Sequence, residues 1–155
     1  MWTNPTLFQL DENLKPVNVA GCPPDAFSDW GQKWGNPIYD WDEMERCDFA
    51  WWKKRMIASA RLYDVTRIDH FIGIVRYYNI PVDGVPKDGF FAKGPGIKLI
   101  NAIDSVMGDA KVIAEDLGVV VPEVTELIKK SGYPGMKVLQ FAFDGNTNNE
   151  HAPHN

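Results

Sequence analysis

The sequence has little of what marks secreted, membrane-spanning or nucleic-acid-binding chains. It carries two cysteines, Cys22 and Cys47, too few for the disulfide framework of a small secreted domain. No positively charged, apolar leader follows Met1, and no apolar run approaches the roughly 20 residues that a spanning helix needs. Together these absences predict a reduced, cytoplasmic protein. Blocks of basic residues are missing too: 16 Lys and Arg against 21 Asp and Glu give a net charge of -5. That balance disfavours nucleic acid and an anionic membrane surface and favours a neutral partner.

Signals for cofactors are equally thin. Gly94-Pro95-Gly96 stands before a helical pattern but lacks the lysine of a phosphate loop. His151 and His154 are separated by Pro153 and have no well-placed third ligand, so an ordinary loop is expected rather than a metal site. Cys22, next to Pro23 and without a basic neighbour, is a poor catalytic thiol. The expectation is no cofactor and no metal.

What is present is a globular composition, 45% hydrophobic and 24% charged over 155 residues, with six tryptophans, as suits one ordinary domain. Five tryptophans fall between Trp30 and Trp52, in polar surroundings that suggest stacking surfaces. Residues 1–20 read as an extended lead-in or small hairpin. Residues 21–41 show no period and read as a long ordered loop, the start of an aromatic-rich substrate loop over 21–47.

Asp48 is placed to cap a helix to about Tyr63, with Phe49, Trp52, Met56, Ala60 and Tyr63 on its inner face. A strand is expected over 65–71 and an irregular Gly- and Pro-rich loop over 79–95. A helix over 96–107 should stop at Gly108, and a second strand follows over 112–118. Pro122 opens a helix that ends near Gly132, and residues 137–143 read as a third strand. Residues 144–155 are a turn-rich loop with no closing element.

Alternation of strands and helices over 48–143 predicts an α/β fold with a parallel sheet and right-handed crossovers. A closed (β/α)8 barrel of the TIM type needs about 250 residues. The three or four strands here would therefore be the central part of an incomplete barrel, one segment of a longer enzyme.

Two places break the expected strand pattern. Val65-Thr66-Arg67-Ile68-Asp69-His70-Phe71 reads as a strand covered on both faces, yet it ends in three ionisable groups. Residues two apart in a strand share a face, so Arg67 should hold Asp69 as an anion. Val112-Ile113-Ala114-Glu115-Asp116-Leu117-Gly118 likewise ends abruptly in two carboxylates and a glycine. Functional sites of parallel sheets lie at the carboxyl ends of the strands. If these strands are neighbours, about 4.8 Å apart, Asp69 and Glu115 come within roughly 5 Å, the separation of a retaining rather than an inverting glycosidase.

In that scheme Asp69 is the nucleophile and Glu115 the acid/base, with an apolar approach through Ile113 and Ala114, and the charge of Asp116, keeping a proton on Glu115. His70 would donate to a sugar hydroxyl. The bland reading makes Arg67 and Asp69 a buried ion pair and Glu115 a helix cap.

Five blocks occur in one order: Gly21-Cys-Pro-Pro-Asp-Ala-Phe-Ser28, Gly31-Gln-Lys-Trp-Gly-Asn-Pro-Ile-Tyr-Asp-Trp41, Arg67-Ile-Asp-His-Phe71, Ala114-Glu-Asp-Leu-Gly118 and Pro134-Gly-Met-Lys-Val-Leu-Gln-Phe-Ala-Phe143. In these blocks the chain closely resembles the amylomaltases, the 4-alpha-glucanotransferases of glycoside hydrolase family 77, over nearly its whole length.

The resemblance implies that Asp69 is the nucleophile and Glu115 the acid/base. It implies substrate contacts at Arg67 and His70, and an aromatic-rich loop over the sugar subsites at Asp25, Phe27, Ser28, Gln32 and Trp34. It also implies a third carboxylate, in a His-Asp pair on a strand beyond Asn155. The implied reaction moves maltodextrin units between alpha-1,4-glucans with retained configuration, on malto-oligosaccharides and on glucans from starch or glycogen. An alpha-glucan hydrolase of the amylase superfamily and a noncatalytic carbohydrate-binding segment are the alternatives.

Overall fold

The computed structural model describes residues 3–25, 28–118 and 121–154. In chain order the elements are β1 (Asn18–Cys22), β2 (Gln32–Pro37), α1 (Trp41–Arg46), α2 (Ala50–Leu62), β3 (Val65–Ile68), the single turn α3 (Ile72–Val75), β4 (Arg76–Pro81), β5 (Phe90–Lys93), α4 (Ile97–Met107), β6 (Lys111–Ala114) and α5 (Pro122–Ser131). Short 3-10 turns occur at Pro5–Leu7, Pro86–Asp88 and Leu139–Ala142. Among the described residues no helix is long and apolar enough to cross a membrane.

Two sheets of opposite kind result. β3 and β6 pair in parallel, with Val65 opposite Lys111 and Ile68 opposite Ala114. The crossover between them carries an antiparallel hairpin, β4 with β5, before α4 returns the chain. β2, β1, β4 and β5 lie side by side in that order as a four-stranded sheet whose pairings are all antiparallel.

The helices with clear end signals lie where the pattern puts them. α4 buries Leu99, Ile100, Ile103 and Met107, all on one side of a 3.6-residue period. Gly96 and Gly108 bound it at φ 59° and 58°, a backbone that side-chain-bearing residues seldom adopt. α5 has Pro122 and Glu123 in its first turn and Lys129 and Lys130 in its last, complementing the helix dipole. Left-handed Gly132 closes it, its N–H donating to the Ile128 carbonyl at 3.1 Å.

Five expectations are corrected. The helix expected from an Asp48 cap is two helices. The Asp40 side chain accepts the Glu43 N–H at 2.9 Å and starts α1, whereas α2 starts after Phe49. Asp48 and Phe49 are both left-handed, at φ 51° and 50°, which turns the chain sharply enough to bury Phe49. Asp48 instead pairs with Lys53 at 2.6 Å. Of the expected stripe, Phe49, Trp52 and Met56 are buried and Ala60 packs at the edge, while Tyr63, past the helix end, is 63% exposed.

The supposed loops at 21–41 and 79–95 contain strands. β2 is exposed at five of its six positions, and the β1–β2 register shifts between Val19 and Gly21. No inside-outside alternation was there to be read. In the β4–β5 hairpin Tyr78 stands opposite Phe91 with ring centroids 4.9 Å apart, a cross-strand pair that stabilises the sheet.

Residues 137–143 form no strand. The Val138 N–H donates to His151 Nδ1 at 3.0 Å, and Leu139–Ala142 is a 3-10 turn. Leu139, Phe141 and Phe143 do alternate, but they are exposed rather than set against a neighbouring strand. Nor is β3 covered on both faces, since Val65 is exposed and only Ile68 is buried.

The main core joins α2, α4, β3, β6 and α5 around Phe71, Leu99, Ile100, Ile103 and Ala114, all wholly buried. A smaller cluster of Val19, Tyr78 and Ile80 holds the antiparallel sheet.

Candidate active site

The parallel register runs out at Ile68 and Ala114, so Asp69 and Glu115 are the next residues on two adjoining strands. The Glu115 peptide is fixed on both sides: its N–H donates to the Ile68 carbonyl at 2.9 Å, and its carbonyl accepts the Phe71 N–H at 2.8 Å. Between those anchors Asp69 and His70 loop outward, with His70 left-handed at φ 49°.

His70 then donates its own N–H to Glu115 Oε2 at 2.7 Å, and Leu117 donates to Oε1 at 3.1 Å. Arg67 Nη2 meets Asp69 Oδ1 at 3.0 Å, as side chains sharing one face should. Asp69, Glu115, Arg67 and His70 all line one cleft of about 750 Å³.

Neither bland reading fits this geometry. The Arg67 and Asp69 side chains are 52% and 77% exposed, so the pair is not a buried one and adds little to stability. Glu115 caps no helix, because residues 115–117 are irregular.

Two backbone N–H groups hold the Glu115 carboxylate. Asp116 turns away to accept the Met136 N–H at 2.8 Å. Its Oδ2 would lie 2.4 Å from any Cβ at Gly135, so a glycine is needed where the 134–136 segment crosses.

His70 is packed edge-on to Trp34, with ring centroids 4.9 Å apart and planes at 81°. Burial pushes its pKa below the ordinary histidine value, against the opposing pull of Glu115 and Asp69. Its imidazole is therefore neutral at neutral pH.

Trp34 and His70 also line a second cavity, of about 490 Å³, together with Asp25 and Gln32. Gln32 Oε1 accepts the Trp34 indole N–H at 2.9 Å and so orients the ring. Ser28 lines neither cavity. Its N–H donates to Asp25 Oδ1 at 2.8 Å and its hydroxyl to the Gly31 carbonyl at 2.9 Å, which makes it a brace of the loop. Phe27 lies outside the described residues.

Against this geometry, the family model described as 4-alpha-glucanotransferase, that of glycoside hydrolase family 77, matches residues 1–155. The chain belongs to this family. It is 48% identical over 157 residues to the 4-alpha-glucanotransferase of Clostridium butyricum, an alignment covering 100% of this chain and 32% of that protein. The Thermus thermophilus 4-alpha-glucanotransferase is 48% identical over 156 residues, covering 100% and 31%.

Among solved structures, an amylomaltase from Streptococcus agalactiae in complex with acarbose superposes with a TM-score of 0.93 at 43% identity, covering 99% of this chain and 32% of that one. The likeness establishes a mixed α/β fold of the amylomaltase kind. The chain spans about a third of the length of the relatives it matches.

Beyond the residues anticipated for this 4-alpha-glucanotransferase family member, Tyr39, Trp52, Arg55 and Tyr77 also line the main cleft. Tyr39 sits at the centre of an aromatic cluster, 5.8 Å from the Trp52 ring and 5.0 Å from Trp41. Arg55 lies 5.0 Å over the Trp52 ring. The sequence signal was the density of aromatics around Trp41. Because Trp52 keeps a core period, its second use as cleft wall was hidden. Among the described residues no group of three or more His, Cys, Asp or Glu is arranged to hold a metal ion.

Proposed function

We propose that this chain supplies the central strands of a (β/α)8 catalytic barrel in a 4-alpha-glucanotransferase, an amylomaltase that moves maltodextrin segments between alpha-1,4-glucans with retention. The observation that carries the reading is the in-register delivery of Asp69 and Glu115 by adjoining parallel strands into one aromatic-walled cleft. Neighbouring strand tips suit the roughly 5 to 5.5 Å that a retaining pair requires.

In the first half of the reaction the Asp69 carboxylate attacks the anomeric carbon as the bond to the leaving glucan breaks, and Glu115 gives that departing oxygen its proton. In the second half Glu115 takes the proton of an acceptor 4-hydroxyl, whose oxygen displaces Asp69 and closes a new alpha-1,4 bond. Arg67 holds Asp69 in place. Neutral His70 offers a hydrogen bond to a sugar hydroxyl without adding charge. Trp34 stacks on a pyranose ring and keeps water from the covalent intermediate, which favours transfer over hydrolysis. Malto-oligosaccharides and glucans from starch or glycogen are the substrates, and the unpaired thiols of Cys22 and Cys47 suit a reducing cytoplasm.

The test is product analysis with the full-length enzyme. Maltotriose should yield glucose together with oligomers longer than maltotriose. A mixture containing only shorter sugars would make the protein a hydrolase instead.

A further inference from the structure

Arg76 stands at the junction of α3 and β4; it lines the second cavity and also a groove shared with Asp42, Glu45, Glu123 and Glu126, but not the cleft that holds Asp69 and Glu115. Its Cζ lies 4.2 Å from the Phe91 ring centroid. Its Nε is buried and has no hydrogen-bond partner among the described residues. None of the ion pairs among those residues involves it. A guanidinium carries five N–H donors and no acceptor, and a buried donor left unmet is rare enough to need an explanation. Phe91 holds the cation by its ring face but offers the Nε–H no lone pair.

The cavity that Arg76 lines is otherwise largely apolar, with Tyr78, Phe91 and Phe141 in its walls. It meets the catalytic cleft at one shared wall, since Trp34 and His70 line both. Past that shared wall lies a space whose apolar rings suit pyranose faces and whose cation suits hydroxyl oxygens.

We propose that Arg76 binds hydroxyl groups of the acceptor glucan and so sets acceptor selectivity. The inference rests on the glucanotransferase reading above. Neighbouring hydroxyls of one glucose unit match the forked donors of the guanidinium, and Phe91 fixes the angle at which they are presented.

The experiment uses the full-length enzyme with a maltosyl fluoride donor and either glucose or maltose as acceptor, comparing the unsubstituted protein with Arg76→Ala and Arg76→Lys. Fluoride release reports formation of the glycosyl-enzyme, and oligomer products report transfer. For Arg76→Ala the acceptor KM should rise about tenfold or more, as for loss of hydrogen bonds from a charged donor, while kcat at saturating acceptor changes far less. Arg76→Lys, a point charge without the fork, should fall between. Unchanged acceptor KM in both variants, or a lowered Tm with unchanged kinetics, would overturn the proposal and leave the nucleophile assignment standing. An unsubstituted enzyme that releases fluoride but forms no longer oligomer would overturn the glucanotransferase reading and this inference with it.

Discussion

The backbone N–H of His70 reaches Glu115 Oε2 across 2.7 Å, and it does so from a left-handed residue at φ 49°. A side-chain-bearing residue in that region costs on the order of 1 kcal/mol and persists only where its surroundings impose it. Here the imposing contacts are the Glu115 peptide on one side and the Trp34 ring on the other.

That arrangement separates two roles of one residue. Asparagine tolerates the left-handed backbone and a β-branched residue does not. His70→Asn should therefore keep the Glu115 hydrogen bond and lose only the ring, whereas His70→Val should lose both. The expected kcat/KM order is native, then Asn, then Val, with Val lower than Asn by about tenfold, as for loss of a positioning hydrogen bond to a charged group. Equal losses in the two variants would mean that the backbone geometry of His70 does not matter to catalysis.

Burial lowers the His70 pKa below its ordinary value, so between the lowered and the ordinary value the unfolded chain binds more protons than the folded one. Stability then rises with pH across that window, is fully present above about pH 6.5, the ordinary histidine value, and is lost as pH falls through the lowered one. Urea midpoints measured from mildly acid to neutral pH should show this slope in the native protein and a shallower one in His70→Gln. Identical slopes would remove His70 as the titrating group.

Trp34 lines both cavities and is 42% exposed, a surface that a sugar ring can cover. Trp34→Ala should raise hydrolysis relative to transfer several-fold or weaken acceptor binding, with little loss in formation of the glycosyl-enzyme. Chromatography of maltotriose products measures the ratio. Unchanged ratios and Michaelis constants would take the ring out of the site.

Gly21 is required by space rather than by backbone angle, because a Cβ there would lie 2.1 Å from the Gln32 carbonyl oxygen and 2.5 Å from Ile80 Cδ1. Gly21→Ala should part β1 from β2 and destabilise by roughly 1–3 kcal/mol, as for overpacking of a tight contact. Because Gln32 orients Trp34, transfer should suffer alongside the lowered Tm. Gly108→Ala, whose Cβ meets nothing within 4 Å, should reduce stability through its backbone without changing the product ratio.

Much of the candidate site was legible because its residues violate the pattern around them. Arg67, Asp69 and Glu115 end apolar runs, and that conflict between local sequence and chemistry is what the parallel pairing of β3 and β6 resolves. α4 and α5 were legible from their glycine, proline and apolar spacing.

The antiparallel sheet was not. β2 and β5 expose nearly every side chain, and strands without a buried face leave no alternation to detect. α1 did carry a signal, Asp40 followed three residues later by Glu43 in a first turn rich in acid, but it stood amid aromatics that read as loop. The third strand expected at 137–143 failed for the opposite reason: its alternation is real, yet its backbone goes to His151 and a 3-10 turn instead of a ladder. Arg76 gave no sequence signal at all, since the unmet hydrogen bond of its Nε among the described residues is a property of packing.

The central claim is that Asp69 and Glu115 flank one glycosidic bond, and trapping the intermediate tests it most directly. A glucosyl fluoride needs no proton on its leaving group, so full-length enzyme with Glu115→Gln should still be glycosylated by it but release the sugar slowly. Mass spectrometry of the digested protein should then find one glycosyl unit on the peptide containing Asp69, and none when Asp69→Asn is added. A glycosyl unit carried by a different residue, or full transfer activity in the Asp69→Asn enzyme, would contradict the account.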